Sequence, residues 1–215
     1  MTDPSIITIE DIPGVDVDPH WVKWARERSA VLEAGIPEMF ADAAADHPKV
    51  VEWVRQIVRE AVERQDRPGG LVAATRGPWL LLLGPVSRGK THQAYGALRA
   101  LGASGVACSW MHVSAADFYA QLRPRHGVDS EEVFASFANA TVLVFDDIGT
   151  GKASEWVEEQ NYRLINHRYE RRMPTILTSN LSTTELRANL GDRVTDRIAQ
   201  MSNRVVLDGP NRRKP

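Results

Sequence analysis

The octapeptide Gly84-Pro85-Val86-Ser87-Arg88-Gly89-Lys90-Thr91 fits the pattern G-x-x-x-x-G-K-[ST] and follows directly on the unbroken apolar run Trp79-Leu80-Leu81-Leu82-Leu83. A run that is apolar at every position is what a strand buried on both faces requires. The residues from Thr91 to Leu101 carry a helical pattern. A strand that enters a glycine-bearing turn and leaves as a helix commits this part of the chain to an α/β arrangement. It also aims successive backbone N–H groups at one point in front of a helix N-terminus, where orphan amides and the helix dipole favour an anion. Gly84 to Thr91 therefore read as a phosphate cradle (a Walker A loop). Lys90 would pair with the β- and γ-phosphates of a nucleoside triphosphate, and the Thr91 hydroxyl would ligate Mg²⁺.

The same alternation continues to the end of the chain. Val106 to Val113, Thr141 to Phe145, Pro174 to Ser179 and Arg204 to Leu207 read as further strands. Helical patterns fill the gaps, near 115–123, 130–138, 155–172, 183–190 and 192–201. Five strands alternating with helices predict a parallel sheet with helices on both faces. Upstream, Arg67-Pro68-Gly69-Gly70 breaks the chain. Before it, apolar positions fall at helical spacing from Pro48 to Arg64 and from His20 to Ala34, the latter carrying Trp21 and Trp24. Residues 1–18 are acidic, punctuated by proline and without a sustained period. The expected organisation is an N-terminal arm and helix over residues 1–35, a helical lead-in over 36–70 and the α/β domain over 71–215.

Val142-Leu143-Val144-Phe145-Asp146-Asp147 is an apolar strand that ends in two acids, the pattern of a Walker B strand. In a parallel sheet its end lies on the same edge as the phosphate loop, where ligands bind. Asp146 can then hold the Mg²⁺ shell, and Asp147 can orient or activate an attacking water. Thr178-Ser179-Asn180 ends the next strand, so the Asn180 amide could contact the γ-phosphate or that water. Ser-Asn after a strand also makes an ordinary turn or helix cap.

Composition narrows the class further. Hydrophobic residues make up 43% and charged residues 25% of the 215, as in ordinary globular domains. Cys108 is the single cysteine, which excludes an internal disulfide and a multi-cysteine zinc site. No apolar run approaches the length that spans a bilayer, and no signal sequence opens the chain. A reducing cytoplasm is the expected location. The net charge is −2, but its distribution is polar. The first twenty residues hold five acids and no Lys or Arg, whereas Arg187 to Pro215 hold seven basic residues and three acids. Such polarity suits head-to-tail self-association or a local phosphate-binding face.

An ordered set of motifs goes beyond the two nucleotide elements. Asp146-Asp147-Ile148-Gly149, Trp156, Arg168-Tyr169-Glu170, Pro174 to Asn180, Leu190-Gly191-Asp192-Arg193 and Asp196-Arg197-Ile198 together resemble the DnaC-type helicase loaders, AAA+ P-loop ATPases related to the transposition helper ATPases. Ala34-Gly35-Ile36-Pro37-Glu38-Met39-Phe40 also resembles that group, so the likeness runs from about residue 34 to Arg213.

The resemblance implies ATP and Mg²⁺ as cofactors. It implies a replicative DNA helicase and single-stranded DNA as partners, with ATP binding and hydrolysis as a switch during replication initiation. By the same likeness Asn180 is the sensor residue, and Arg197 is the arginine inserted into a neighbouring subunit's ATP site. Arg193 and Arg213 are further candidates for that or a sensor role. Each arginine could equally be an ordinary surface or salt-bridging residue. Ser154 and Trp156 match positions that contact DNA, and Trp156 could stack on a base or pack as a core aromatic. Arg123, Arg125 and His126 are further candidates for phosphate contacts. Trp21 and Trp24 could anchor the helicase or pack on their own domain.

Several features depart from the pattern. Ser87 and Arg88 stand where the group has glycine and a small residue. Asp147 stands where AAA+ proteins commonly have glutamate; one methylene shorter, it implies slow hydrolysis. The chain ends soon after its last strand, at Arg212-Arg213-Lys214-Pro215, which leaves no room for the helical lid of most AAA+ proteins, a truncation typical of the DnaC-type loaders. Other readings of the residues are a transposition helper that coats duplex DNA and recruits a transposase, a P-loop kinase, and a nucleotide-binding scaffold without useful hydrolysis.

Overall fold

The computed structural model describes residues 7–151 and 154–209. Its elements run α1 (Pro19–Glu33), α2 (Pro48–Glu63), β1 (Trp79–Leu83), α3 (Lys90–Ala103), β2 (Trp110–Ser114), α4 (Ala115–Leu122), α5 (Ser130–Ala138), β3 (Val142–Asp146), α6 (Glu155–Glu170), β4 (Thr175–Ser179), α7 (Thr183–Leu190), α8 (Asp192–Met201) and β5 (Ser202–Val206). The strands form a single sheet in the order β2-β3-β4-β1-β5, with every pair parallel. Parallel pairing puts all strand C-termini on one edge, so the ends of β1, β3 and β4 converge there.

Alternate residues of each strand feed opposite layers. Leu80 and Leu82, Val142 and Val144, Ile176 and Val205 face α1, α2 and α3. Trp79, Leu81 and Leu83, Leu143, Phe145 and Leu177 face α4 to α8, where Phe118, Phe137, Leu164, Ile165 and Ile198 complete the layer. α2 illustrates why packing rather than propensity holds a helix here. It is rich in β-branched residues, each costing at most about 0.7 kcal/mol against alanine. Yet Val50, Trp53, Val54, Ile57 and Val58 are buried, and burial contributes about 1.5–3 kcal/mol per large apolar side chain. Burial wins by a wide margin.

Two strands begin away from their expected starts. Val106 to Cys108 are buried but do not pair with β3. Ala107 instead bridges Ala73, donating to Val72 O (2.8 Å) and accepting from Ala74 N (3.0 Å), so β2 starts at Trp110. β5 starts at Ser202 rather than Arg204, because its register against β1 pairs Trp79 with Ser202. The helices agree with the sequence expectation to within about two residues.

The segments ahead of β1 pack on the helix after the phosphate loop. Ile9 is buried and its N–H reaches Ser104 O (2.9 Å). α1 buries Val22, Ala25 and Ser29, and it crosses α3 so closely that a Cβ on Gly102 would lie 1.8 Å from Ser29 Oγ. The lead-in follows suit: a Cβ on Gly96 would lie 2.1 Å from the Ala44 carbonyl carbon. On the other layer, the buried Arg168 donates to the carbonyls of Phe137, Ala138, Ala140 and Pro174 and to Thr175 Oγ1. It thereby closes the C-terminal end of α5 and ties it to β4. No helix among the described residues is long and apolar enough to cross a membrane.

Candidate nucleotide-binding site

Between β1 and α3 the chain makes the turn that the octapeptide implied. Gly89 (φ 85°) and Ser87 (φ 64°) have positive φ, and such turns suit a loop whose backbone N–H groups cradle an anion. For Ser87 that conformation costs about 1 kcal/mol relative to glycine. Gly84 is required sterically: at φ 141°, a Cβ there would sit 2.2 Å from Leu207 O, in the segment that leaves β5. Arg88 reaches out of the loop to Gly209 O in that same segment.

Lys90 is buried at the first turn of α3. Its ammonium donates to Gly84 O (2.8 Å) and Pro85 O (3.0 Å), and also to Asn180 Oδ1. The Asn180 amide in turn donates to Asp147 Oδ1 (3.1 Å). One asparagine at the end of β4 therefore joins the phosphate-loop lysine to the second acid after β3.

The first acid has its own partners. Thr91 Oγ1 lies 3.2 and 3.4 Å from the Asp146 carboxylate oxygens. Thr178 Oγ1 donates to Asp146 Oδ1 and accepts from Asp147 N (2.9 Å). His112 Nε2 lies 3.5 Å from Asp146 Oδ2, with its ring stacked on Tyr95 at 5.0 Å between centroids. Burial alone would raise the Asp146 carboxyl. The His112 imidazole and the Thr178 and Thr91 hydroxyls outweigh it and hold the group below the usual carboxylate range. Asp146 is thus kept charged. A carboxylate and a hydroxyl this close suit a hard divalent cation that takes its remaining oxygen ligands from phosphate and water. The loop amides, Lys90, Thr91 and Asp146 together fit a Mg²⁺–triphosphate.

A cavity of about 520 Å³ opens from the loop, lined by Ser87, Gly89, Lys90, Thr91, Asp147 and Asn180 at one end and by Met39, Phe40, Asp42 and His92 at the other. The second set was not legible as nucleotide-binding in the sequence. The Glu38–Phe40 turn brings Phe40 against Tyr95 of α3 (5.1 Å between centroids), and His92 lies 3.9 Å from Asp42. The roles of Thr178 and His112 were likewise unforeseen. The only hint was that Thr178 stands two residues before Asn180 on a strand expected beside the acids.

Other sequence candidates lie apart from this cavity. Arg193 is exposed and Arg197 half-buried on α8, and neither lines it. Arg197 lies over the rings of Tyr162 and Tyr169, 5.4 Å from each centroid. Ser154 is the N-cap of α6, accepting from Val157 N (3.3 Å). Trp156 is half-buried, edge-on to Tyr119 at 6.2 Å. Arg123, Arg125 and His126 are exposed in the α4–α5 connection, where Val128 N–H bonds Arg125 O (3.2 Å). Trp21 and Trp24 meet edge-to-face at 6.1 Å on α1, and Trp24 is exposed. Arg213 lies outside the described residues.

A curated relative, the replicative helicase loader DnaI of Bacillus subtilis (strain 168), is 30% identical over 98 residues, 40% of this chain and 32% of that protein. The match therefore spans about a third of the relative's length. Among solved structures, the DnaC helicase loader superposes with a TM-score of 0.62 at 24% identity, over 80% of this chain and 100% of that one. DnaI gives 0.60 at 21% identity over 83% and 95%, and the replication initiator DnaA bound to AMPPCP and single-stranded DNA gives 0.55 at 21% over 73% and 46%. At these identities the structures establish the fold alone, a five-stranded parallel α/β sheet shared with those proteins. The model of the family described as IstB-like ATP binding protein matches residues 73–214, a stretch that takes in all five strands. The chain belongs to the IstB-like ATP-binding protein family.

Proposed function

We propose that this chain is an ATP-dependent helicase loader, which binds a replicative DNA helicase and single-stranded DNA and uses ATP binding and slow hydrolysis as a switch. The observation that carries the proposal is the chain of contacts Lys90–Asn180–Asp147. It ties the residue that meets the terminal phosphate to the acid that would orient water, through an amide able to report which nucleotide is present. Lys90 and the loop amides would bind the phosphates, Thr91 and Asp146 would hold Mg²⁺, and Asp147 would orient or activate the attacking water. When bound there, the metal would supply charge neutralisation at the phosphates. Asp147, one methylene shorter than glutamate, supports a low turnover number. A turnover typical of metabolic ATPases, unaffected by Asp147→Ala, would sink that part.

DnaI, named as a replicative helicase loader, favours a helicase as the protein partner. Trp21 and the exposed Trp24 on α1 offer an aromatic pair for it. Ser154, Trp156, Arg123 and Arg125 are the candidates for single-stranded DNA, and head-to-tail assembly would bring Arg193 or Arg197 to a neighbour's nucleotide. The alternative is a transposition helper on duplex DNA; the family match, which covers the ATPase core from residue 73, is equally compatible with it.

Fluorescence anisotropy with labelled single- and double-stranded oligonucleotides, with ATP, ADP or no nucleotide and at two salt concentrations, separates the two. ATP-dependent, salt-sensitive binding to single strands, lost in Lys90→Ala and weakened in Trp156→Ala, supports the loader. A preference for duplex replaces it with the transposition helper. Absence of binding to both removes DNA from the proposal.

A further inference from the structure

We infer that Tyr162 and Tyr169 of α6 are positioning residues, which hold the Arg197 guanidinium ready for a phosphate group of a nucleotide carried by a second copy of this chain. The inference rests on the proposal that Arg197 acts in trans.

Arg197 is poorly satisfied by its own chain. A guanidinium has five N–H donors. Here Nη1 donates to Arg193 O (2.8 Å), whereas Nε is buried without an acceptor. No ion pair to Arg197 occurs among the described residues. The carboxylates nearest in sequence are engaged elsewhere, since Arg187 donates to both Asp192 and Asp196 at 2.6 Å. Two aromatic faces take the place of acceptors: the Arg197 Cζ lies 5.4 Å from the centroid of each tyrosine ring. The Tyr169 hydroxyl is itself fixed by Gln200 Oε1 (2.8 Å), one helical turn along α8. α6 and α8 pack against each other, so the clamp is built across a helix pair rather than on a loop.

Aromatic faces fix the plane of a guanidinium without consuming its N–H groups. A side chain held this way keeps its Nη2 donors, and the Nη1 hydrogen not given to Arg193 O, for a planar or tetrahedral oxyanion, and loses little freedom on binding. Its own chain's phosphate loop is not the recipient, because Arg197 does not line that cavity. A phosphate that meets Arg197 would therefore belong to another molecule, and a neighbouring copy would hold one at its own Lys90 and Thr91.

The test uses the full chain with Mg²⁺ and ATP. Phosphate release is followed against protein concentration, and affinity for a fluorescent ATP analogue is measured in parallel. ATP-dependent sedimentation reports assembly. Arg197→Ala should lower kcat by at least about ten-fold. Tyr162→Leu and Tyr169→Leu should each lower kcat by about three- to ten-fold, with nucleotide affinity and Tm close to the parent's. Tyr162→Phe and Tyr169→Phe keep the rings and should restore most of that loss. A merely structural role would instead lower Tm and affinity together. If Arg197→Ala lowers kcat but the leucine variants do not, the clamp is overturned and the trans arginine stands. If Arg197→Ala changes neither turnover nor assembly, the trans role fails and the clamp fails with it.

Discussion

The ammonium of Lys90, at the start of α3, donates to the side-chain oxygen of Asn180, which lies ninety residues further along at the end of β4. Neither side chain is drawn there by its local sequence; the sheet order places β4 beside β1. The two residues should be separable by function. Lys90→Met removes the proposed phosphate contact and should weaken ATP binding by about a hundred-fold, whereas Asn180→Ala should leave affinity within about three-fold and lower turnover by about ten-fold or more. Titration with a fluorescent nucleotide and phosphate release check the two halves. Equal loss of affinity in both variants would count against a sensing role for Asn180.

Thr178 is expected to matter through the acid it serves. Its hydroxyl donates to Asp146 and accepts from the Asp147 N–H, so Thr178→Val leaves one donor without an acceptor and removes a hydrogen bond from a carboxylate. The expected cost near neutral pH is about 1–3 kcal/mol. Asp146 is held below its ordinary value of 3.8. Its contribution to stability is therefore complete above that value and is lost as pH falls through the lower native one. The gap between variant and parent should narrow on acidification, which urea unfolding at a series of pH values measures.

Arg168 is fully buried, and burial lowers its pKa to about 9. It remains charged at neutral pH because four carbonyls and a hydroxyl surround it. Arg168→Met should cost about 3–5 kcal/mol, since it leaves several buried carbonyls unpaired. Arg168→Lys should recover little of this, because one ammonium cannot reproduce the planar fork. Denaturant unfolding gives both values.

Gly96→Ala probes how the lead-in is held. Alanine favours a helix by about 1 kcal/mol over glycine, but its Cβ would meet the Ala44 backbone at 2.1 Å. The steric term should win, with a net loss of about 1–3 kcal/mol. It should also weaken nucleotide binding, as the Met39–Asp42 wall of the cavity belongs to the same segment. A variant as stable as the parent, with unchanged affinity, would show that the lead-in readily shifts aside.

What the sequence determined by itself was whatever depends on neighbours within a few positions. The apolar run at 79–83, the glycine-bearing octapeptide and the helical spacing of Val50 to Val58 each carry their structure in a short window, and the fold class followed from their alternation. Where a strand starts was less legible, as at Val106 and Ser202, because backbone pairing across the sheet decides it and apolar patterning does not. The clustering of Lys90, Thr91, Asp146, Asp147 and Asn180 was expected from the rule that parallel strands end on one edge. The side chains that complete the site were decided only by tertiary structure. Thr178 and His112 reach Asp146 because β4 and β2 flank β3; Met39, Phe40 and Asp42 reach the cavity because the lead-in packs on α3; and Arg197 lies between two tyrosines because α8 crosses α6. Each of these contacts joins residues far apart in the chain. Strand order and helix crossing select the partner, and both are set by burial over the whole domain rather than by any local pattern.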